Sequence, residues 1–486
     1  MNDHIPLAID LQQQLTTEQA WHYGVVPKIA HNGTLELYID ETLWSERTPS
    51  EKKSLEEELE VLLGKKIVFE KTAADVVRKT LSKYYLRNAR NSPAGKIQSL
   101  SAKQGDDFLP SLISEAKQLG SSDIHIECYE DRSRVRIRID GLLVERYTIS
   151  KTDYPALINK IKIRANLDIA EKRLPQDGRI FFQAEGMKFD IRVSVLPTLH
   201  GEKVVLRLLS NDATNIDIRT LGFTERQLAD YLEGVKKPHG ILLISGPTGS
   251  GKTTSLYATL KLLNKETTNI LTIEDPIEYT LEGINQVQLK ESIGLTFAST
   301  LRTFLRQDPD IIMLGEIRDA ETAQMAIRAA LTGHLVLSTI HTNSAWGTIS
   351  RLADMGVPPF LIAGTLNTSV AQRLLRLLCP HCKQEKDFDV SLFPRSYKPP
   401  REICRHTVPV GCPECFFTGY RGRKAIYEVV PIDHELSERI KTNDAQVGNL
   451  LRERAITTLA ENAFRLFEKG DTSIEEVYSI LFNSYA

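Results

Sequence analysis

Short apolar runs alternate with amphipathic segments along most of the chain, and this pattern predicts a mixed α/β protein. Four runs rich in Ile, Leu and Val predict buried strands: ILLIS from Ile241, NILTIED from Asn269, IIMLGEI from Ile311 and LVLSTIH from Leu335. Continuous apolar runs of this kind are typical of a parallel sheet that helices cover on both faces. We therefore predict an α/β domain with a parallel sheet over residues 226–486.

Residues 106–225 show a different pattern, in which apolar and polar residues alternate. A helical segment, FLPSLISEAKQLG, is followed by RVRIRIDGLLVERYTI, GRIFFQ, FDIRVSVLPT and KVVLRLL. Alternation with a period of two gives a strand one buried and one solvated face. The pattern predicts a separate mixed α/β domain before the parallel sheet.

The two ends of the chain give weaker patterns. Residues 1–90 combine a strand pattern, TLELYID, with two amphipathic helix patterns, SEKKSLEEELEVLLG and TAADVVRKTLSKYYL. The polar residues 91–105, which include Ser, Asn, Gly and Pro, predict a linker. Residues 416–486 are predicted to form C-terminal helices, chiefly from AQVGNLLRERAITTLAENAFRLFEKG.

Charge and hydropathy restrict the kind of partner. The chain has 486 residues with 61 Lys plus Arg against 63 Asp plus Glu, a net charge of -2. A nucleic-acid-binding protein usually has a basic excess, so this balance argues against one. Neither a membrane-spanning apolar run nor a basic, apolar leader is present in the sequence. We expect a cytoplasmic protein that reaches a membrane only through partners.

A glycine-rich segment follows the first predicted buried strand. The residues from Gly246 to Thr253, GPTGSGKT, fit the pattern G-x-x-x-x-G-K-[ST] between a strand and a helix. Glycines let backbone N–H groups converge on phosphate oxygens, and the following helix directs its positive end at them. Lys252 can reach the β- and γ-phosphates and Thr253 can bind Mg²⁺. The alternative is a surface glycine turn, which would not require the flanking strand and helix.

Acidic residues follow two other predicted strands. Glu316 ends the apolar run of DPDIIMLGEIRD, and Glu274, Asp275 and Glu278 lie in TIEDPIEY. The carboxyl ends of parallel strands are where ligands collect in such sheets. Each acid alone could equally be a helix cap or a solvated turn residue. Their joint position predicts a metal-linked acid and a group that positions water.

Two histidines, His334 and His341, flank the strand run in TGHLVLSTIHTN and lie seven residues apart. Either could sense a γ-phosphate or link neighbouring strands, and the spacing leaves both interpretations open.

Four of the six cysteines form two C-P-x-C pairs. Cys379 and Cys382 lie in CPHC, Cys412 and Cys415 lie in CPEC, and 29 residues separate the pairs. Two such pairs can complete a tetrahedral Cys₄ zinc site with no open position, so the zinc would be structural. The alternative is four buried free thiols. The sequence assigns no role to the nearby His381 and Cys404.

Taken together, these motifs resemble the secretion ATPase superfamily, specifically the type II secretion and type IV pilus assembly ATPases. GPTGSGKTTSLY resembles its Walker A motif, TIEDPIEY its Asp box, GLTFASTLRTFLRQDPDIIMLGEIRDAETA its Walker B region and TGHLVLSTIHTN its His box. SSDIHIE and KRLPQDGR resemble signatures of the domain before the motor core. AQRLLRLLCPHC and GCPECFFTGYRGRKAIYEV resemble the zinc-bearing element of the assembly branch. The match covers most of the chain and is weakest over residues 1–90.

The resemblance implies a P-loop, RecA-like parallel-sheet motor core. A mixed α/β, PAS-like domain and a small N-terminal α/β module precede this core, and a Cys₄ zinc element is inserted at 379–415. It implies that Glu278 is the general base, that Glu316 is the Walker B acid, and that Lys252 and His341 act near the γ-phosphate. The implied nucleotide contacts are Gly246, Pro247, Thr248, Gly249, Ser250, Gly251, Lys252, Thr253, Thr254, Glu274, Asp275, His334, Arg179, Arg192 and Arg207.

The family resemblance also implies a function and partners. We expect a homo-hexameric ATPase, with ATP, Mg²⁺ and Zn²⁺, that drives pseudopilus assembly and protein export in type II secretion. Residues 1–90 are expected to bind the cytoplasmic domain of a bitopic inner-membrane protein, and the ring to act on a polytopic platform protein. The alternatives are a type IV pilus extension or DNA-uptake ATPase, and a scaffold that binds nucleotide without turnover. A nucleic-acid translocase is disfavoured by the charge balance.

Overall fold

A computed structural model describes residues 17–31, 34–84, 98–100, 108–184, 187–209, 217–444 and 447–482, together with Ile5, Leu7, Leu11, Gln14 and Leu15. The chain divides into two compact units, Met1–Pro93 and Ala94–Ala486. Each unit is described by itself.

The first unit contains a three-stranded sheet with helices around it. Strand β2 lies in the centre, antiparallel to β1 and parallel to β3. Its elements are α1 (Thr17–Tyr23), β1 (Val25–His31), β2 (Thr34–Asp40), α2 (Glu41–Glu46), α3 (Pro49–Leu63), β3 (Lys66–Thr72) and α4 (Ala74–Tyr84). Helix α3 begins with a capping box between Thr48 and Glu51, and Gly64 ends it in the left-handed conformation that glycine adopts without strain.

The predicted linker 91–105 lies outside the described residues except for Gln98–Leu100. These three residues form strand β4, which pairs in parallel with residues 147–149 at the edge of the next sheet. Polar composition suggested a loop here, but an edge strand needs backbone pairing on one side only.

A second, seven-stranded sheet begins the larger unit. Its elements are β4 (Gln98–Leu100), α5 (Phe108–Gln118), β5 (Asp123–Cys128), β6 (Ser133–Ile139), β7 (Leu142–Ile149), α6 (Tyr154–Arg164), β8 (Gln176–Ala184), β9 (Met187–Thr198) and β10 (Gly201–Leu208). The strand order is β4-β7-β6-β5-β10-β9-β8, and apart from β4 all neighbours are antiparallel. Helices α5 and α6 contribute Leu112, Ile113 and Ile161 to the core on one face, as the alternating pattern predicted.

A third, seven-stranded sheet follows, in the order β13-β12-β14-β15-β11-β16-β19. The helices around it are α7 (Glu225–Lys236), α8 (Lys252–Leu263), α9 (Phe297–Phe304), α10 (Ala320–Leu331), α11 (Gly347–Asp354) and α12 (Pro359–Thr365). The strands are β11 (Gly240–Ser245), β12 (Ile270–Glu274), β13 (Asn285–Gln288), β14 (Ile311–Leu314), β15 (Leu335–Ile340), β16 (Leu366–Leu378) and β19 (Tyr420–Pro431). All neighbours are parallel except β16 and β19. Strands β11, β12, β14 and β15 are fully buried, which confirms the predicted parallel-sheet core.

The C-terminal part differs from the all-helical expectation for 416–486. Residues Tyr420–Pro431 are strand β19, because this segment pairs along its whole length with β16. The helical segment predicted from 445 is interrupted between α14 (Gly448–Glu453) and α15 (Leu459–Glu468), where Thr458 caps the second helix. The remaining helices are α13 (His434–Lys441) and α16 (Ile474–Phe482), and β17 (Gln384–Asp387) and β18 (Arg405–Val408) form a hairpin near the cysteine pairs. Within the described residues, no helix is long and apolar enough to cross a bilayer.

Candidate functional site

The glycine-rich segment forms a tight loop between β11 and α8, at the carboxyl end of the sheet. Gly246, Gly249 and Gly251 have φ of 149°, 80° and 87°, in the region that favours glycine. A Cβ atom on Gly246 would lie 2.5 Å from the carbonyl oxygen of Gln372 and 2.7 Å from Ser250 Oγ. The first position of the loop therefore has no room for a side chain.

Lys252 bends back over this loop. Its Nζ donates to the carbonyl oxygens of Gly246 at 2.8 Å and Pro247 at 3.0 Å, and the residue is only 9% exposed. Burial lowers the pKa of Lys252, and the charge of Glu316 opposes that change. The buried hydroxyl of Ser250 has no hydrogen-bond partner within the described part of the chain. An ammonium and an unsatisfied hydroxyl at a helix N-terminus are the chemistry that a phosphate group fits.

Glu316, just after β14, lies beside the side chains of Arg318 and His341. Arg318 Nη2 is 2.5 Å from one carboxylate oxygen and His341 Nε2 is 3.4 Å from the other. Burial acts to raise the pKa of Glu316, but the hydrogen bond from Arg318 and the charges of Arg318, His341 and Lys252 hold it below its usual value. The structure thus brings Glu316, His341 and Lys252 to one end of the sheet.

The acids of TIEDPIEY have different surroundings. Glu274 is buried, and Tyr257, Thr272 and Gln286 all donate hydrogen bonds to its carboxylate oxygens. Asp275 lies 3.6 Å from Arg318, on the edge of the cluster around Glu316. Glu274 therefore has three partners within the protein, and any nucleotide contact it makes stays a prediction.

Glu278 contacts the second sheet of the larger unit. Arg192 Nη1 is 3.7 Å from Glu278 Oε2, and Arg192 Nη2 donates to the carbonyl oxygen of Ile277. The backbone N–H of Glu278 donates to Tyr257 Oη at 3.3 Å. A side chain from β9 thereby holds the loop that carries Glu278.

The three predicted arginines form one row across adjacent strands. Arg179 on β8 pairs in register with Arg192 on β9, which pairs with Arg207 on β10. Directly opposed like charges repel one another across a sheet. A carboxylate lies near each of the three: Asp190 is 3.9 Å from Arg179, Glu278 is 3.7 Å from Arg192, and Asp123 is 3.1 Å from Arg207. Burial, followed by the charges of Arg179 and Arg207, lowers the pKa of Arg192 despite the attraction of Glu278. A cavity of about 510 Å³ lies against the row, and Pro276, in the loop after β12, and Gln288 on β13 also line it.

His334 is not brought to the glycine-rich loop. It lies at the amino end of β15, where its Nδ1 is 2.8 Å from the carbonyl oxygen of Ala329. The loop lies at the carboxyl end of the parallel strand β11, so a span of roughly 20 Å separates the two ends of the sheet. The two histidines of TGHLVLSTIHTN therefore lie at opposite ends of strand β15.

The four paired cysteines meet at one point. Their Sγ atoms all lie within 4.8 Å of one another, with 3.8 Å between Cys379 and Cys412, 3.8 Å between Cys382 and Cys415, and 3.7 Å between Cys412 and Cys415. Zinc–sulfur bonds of ~2.3 Å in a tetrahedron give sulfur–sulfur edges of ~3.8 Å. The residues present therefore fit a zinc ion. Cys404 and His381 are exposed and lie outside this cluster of four.

Comparison with known proteins identifies the family. The family model for "Type II/IV secretion system protein" matches residues 102–479. The chain belongs to that family. The "Type II secretion system ATPase E" of Vibrio cholerae is 46% identical over 377 residues, 77% of this chain and 74% of the relative. The "Type IV pilus assembly ATPase PilB" of Myxococcus xanthus is 48% identical over 388 residues, 77% of this chain and 68% of the relative.

Solved structures support the fold of this secretion ATPase. The pilus retraction motor PilT with bound ADP superposes with a TM-score of 0.53 at 26% identity, covering 76% of this chain and 96% of that one. The ATPase DotB of Legionella pneumophila gives a TM-score of 0.60 at 22% identity, covering 80% and 99%. The predicted family, P-loop fold and ATPase activity are thus confirmed.

Several residues around the loop of the secretion ATPase were not predicted from the sequence. Gln372 on β16 underlies the loop, and its side-chain oxygen accepts a hydrogen bond from Ser255 at 2.9 Å. Arg318 pairs with Glu316, and Arg373 with Asn343. A polar pair inside the apolar run SVAQRLL is the one signal that could have drawn attention to Gln372 and Arg373.

Proposed function

We propose that this secretion ATPase hydrolyses ATP at the loop between β11 and α8 and uses the free energy of hydrolysis to drive type II secretion. The observation that carries the proposal is the contact of Arg192 with Ile277 and Glu278, because it joins the arginine row of one domain to the acidic loop of the other. A ligand that alters this contact would move the two domains relative to each other.

In this proposal the loop backbone and Lys252 bind the ATP phosphates. Thr253 and, through water, Glu316 would hold Mg²⁺, which supplies positive charge to the transferred phosphoryl oxygens. Glu316 suits this role because its cationic neighbours keep its carboxyl ionised. The position of His341 beside Glu316 supports a role near the γ-phosphate.

Glu278 is the proposed general base, and its contact with Arg192 links catalysis to domain position. While Arg192 Nη1 lies 3.7 Å from Glu278 Oε2, a guanidinium occupies one side of the carboxylate. Movement of Arg192 towards phosphate oxygens would free the carboxylate and neutralise developing charge at once. Binding and hydrolysis would thereby close and open the two domains, as differential contact with the γ-phosphate requires.

Zinc is the proposed occupant of the four-cysteine cluster. With four protein ligands, the ion would stabilise the segment 379–415 and would leave no coordination position for substrate. Backbone N–H groups of Gly411 and Gly419, each 3.3 Å from a sulfur, would stabilise the thiolates.

The choice between two machines rests on the relatives. Type II secretion is favoured because similar proteins of that name include those of Vibrio cholerae and Pectobacterium carotovorum, at 46% and 47% identity. Type IV pilus extension is the second candidate, because the Myxococcus xanthus relative is 48% identical. Deletion of the gene in its host should abolish exoprotein release and leave pili intact. Loss of pili with normal exoprotein release would establish the second candidate.

A homo-hexamer attached to the cytoplasmic face of the inner membrane is the proposed working form. Residues 1–90 would bind the cytoplasmic domain of a bitopic membrane protein, and the ring would act on a polytopic platform protein. Capture by an affinity tag, with a chain lacking residues 1–90 as the control, tests the first contact. Equal recovery of that membrane protein with both chains would refute it.

The substitution Glu316→Gln tests turnover. The variant should bind ATP with nearly unchanged affinity but release phosphate at least about 100-fold more slowly, because an amide cannot replace the ionised carboxylate. Glu266→Gln, at an exposed position after α8, is the matched control and should retain activity. Normal phosphate release by Glu316→Gln would refute the assigned role, and no release by the assembled wild type would favour a scaffold.

A further inference from the structure

Arg373 lies beside the glycine-rich loop on a strand that the motifs do not include. Strand β16 pairs in parallel with β11, with Ala371 opposite Ser245. Gln372 and Arg373 therefore continue past the last residue of β11, level with the beginning of the loop. The carbonyl oxygen of Gln372 is the atom that a Cβ on Gly246 would meet at 2.5 Å.

Among the described residues, the Arg373 guanidinium has a hydrogen-bond partner for one terminal nitrogen and none for the other. Its Nη2 donates to Asn343 Oδ1 at 3.1 Å, whereas its Nη1 is buried and has no hydrogen-bond partner in the described ranges. A buried, unsatisfied donor on a charged group is costly, so Nη1 should bind a water molecule or a ligand from outside the chain. Ser250 Oγ in the loop is a second buried group with an unsatisfied hydrogen bond.

The charges around Arg373 favour an anion. Burial lowers the pKa of Arg373. The charge of Arg373 also contributes to lowering the pKa of Lys252, after burial and against the opposing effect of Glu316. Two cations that destabilise each other at the same end of a sheet are stabilised together by a bound phosphate.

Asn343 connects Arg373 to the acidic cluster. It follows His341 by two residues in the loop after β15, and His341 Nε2 lies 3.4 Å from Glu316. Asn343 therefore ties the guanidinium to the loop after β15, on the Glu316 side of the site. In P-loop proteins this is the side of the γ-phosphate, since the metal-linked acid acts there.

We propose that Arg373 is a further phosphate-contacting residue of the same subunit, which binds the γ-phosphate of ATP through Nη1, and that Asn343 is its positioning residue. This inference rests on the proposed ATP site and adds to it a contact that distinguishes ATP from ADP. The planar guanidinium suits the role because one nitrogen can stay anchored to Asn343 while another reaches an oxygen.

The test compares the binding of AMP-PNP and ADP, each with Mg²⁺, to the full chain by calorimetry. Arg373→Gln should weaken AMP-PNP binding by about tenfold or more and ADP binding by less than about threefold, because only the first ligand has a γ-phosphate group. Arg373→Lys keeps the positive charge but loses the planar guanidinium with its several N–H donors. Its affinity for AMP-PNP should lie between those of the wild type and Arg373→Gln. Equal weakening of both ligands, or of neither, would overturn the proposal.

Thermal unfolding without nucleotide separates this role from a structural one. Removing a cation that repels Lys252 should leave the melting temperature of the free protein unchanged or higher, while the extra stabilisation by AMP-PNP shrinks. A purely structural arginine would instead lower the melting temperature of the free protein. Arg465→Gln, at an exposed position on α15, is the control for loss of one charge.

Two more variants complete the design. Asn343→Ala should weaken AMP-PNP binding by a smaller factor than Arg373→Gln, and it should add little in the double variant because both act through one contact. Additive losses would refute the positioning role.

Lys252→Ala tests the ATP site itself. Suppose that Lys252→Ala weakens the binding of both AMP-PNP and ADP, but Arg373→Gln affects the two ligands equally. The ATP site would then be supported, and the proposed contact of Arg373 with the γ-phosphate would be refuted. If Lys252→Ala has no effect, the proposed function fails.

Discussion

Glycine is required at position 246 by both backbone conformation and space. Its φ of 149° is strained for any residue with a side chain, and a Cβ would meet Gln372 and Ser250 within 2.7 Å. Gly246 is thus required for close packing against β16, in addition to its proposed role in binding phosphate.

Gly246→Ala should therefore weaken the loop even without nucleotide. We expect a loss of about 1–3 kcal/mol in the free energy of unfolding and at least about tenfold weaker ATP binding, from backbone strain and the clash with Gln372. Denaturant unfolding and calorimetry measure the two effects. The control is Gly364→Ala on α12, where a Cβ would meet nothing within 4 Å. That change should be neutral or stabilising, and equal losses in both variants would contradict the explanation.

Glu428 on β19 is a buried carboxyl group that connects two segments. It accepts hydrogen bonds from the backbone N–H of Ala345 at 2.9 Å and of Leu459 at 3.2 Å. Burial raises the pKa of Glu428, and these hydrogen bonds offset the effect only in part.

Stability should therefore depend on pH through Glu428. The folded protein keeps this proton to higher pH than the unfolded chain, whose Glu titrates near 4.5. The contribution of Glu428 to the free energy of unfolding is present below about pH 4.5. It is lost as the pH rises through the pKa that Glu428 has in the folded protein. Compared with Glu428→Gln, the wild type should lose melting temperature as the pH rises over the range above about 4.5. A difference between the two proteins that stays constant over this range would contradict the assignment.

At the scale of elements, the cluster of Cys379, Cys382, Cys412 and Cys415 lies where the ends of four strands meet. The pairs flank the hairpin of β17 and β18 and lie next to the ends of β16 and β19, which are antiparallel neighbours. One ion would therefore fasten the hairpin of β17 and β18 to the ends of β16 and β19.

Cys382→Ser should remove the ion and loosen this element. We expect zinc content to fall from about one per chain to near zero, and the segment 379–415 to become sensitive to protease, because three ligands bind zinc much more weakly than four. Metal analysis and limited proteolysis measure both effects. Cys404→Ser is the matched control, since that cysteine is exposed and outside the cluster. Full zinc content in Cys382→Ser would refute the site.

At the scale of the whole larger unit, one arginine row faces the loop that carries the proposed base. Arg192 is the most enclosed of the three, with a side chain 22% exposed against 65% for Arg179 and 56% for Arg207. It is also the one that bonds across to residue 277. Arg192 should therefore matter most for communication between the domains.

Arg192→Gln should lower kcat by about 100-fold while changing ADP affinity by less than about threefold, since the residue acts on charge that develops in turnover. Steady-state phosphate release and ADP titration measure the two effects. Arg132→Gln, in the same domain with a side chain 60% exposed, should behave like the wild type. A parallel loss of ADP affinity would place Arg192 in ground-state binding instead.

The sequence by itself determined the family, the four central buried strands and the chemistry of two sites. This was possible because a phosphate loop and a pair of C-P-x-C turns are local. Their backbone conformations and ligands are encoded within a few residues, and long apolar runs identify buried strands directly. It did not determine strands β16 and β19, because LNTSVAQRLLRLL and YRGRKAIYEVVP carry no clear period and are fixed by pairing with each other.

Only the tertiary structure decided which distant residues meet. Strand register aligns Arg179, Arg192 and Arg207, and strand direction separates His334 from His341. The parallel pairing of β11 with β16 places Arg373 beside a loop more than a hundred positions earlier in the chain. Contacts of this kind arise from register and packing across the sheet, and no local pattern of residues encodes them.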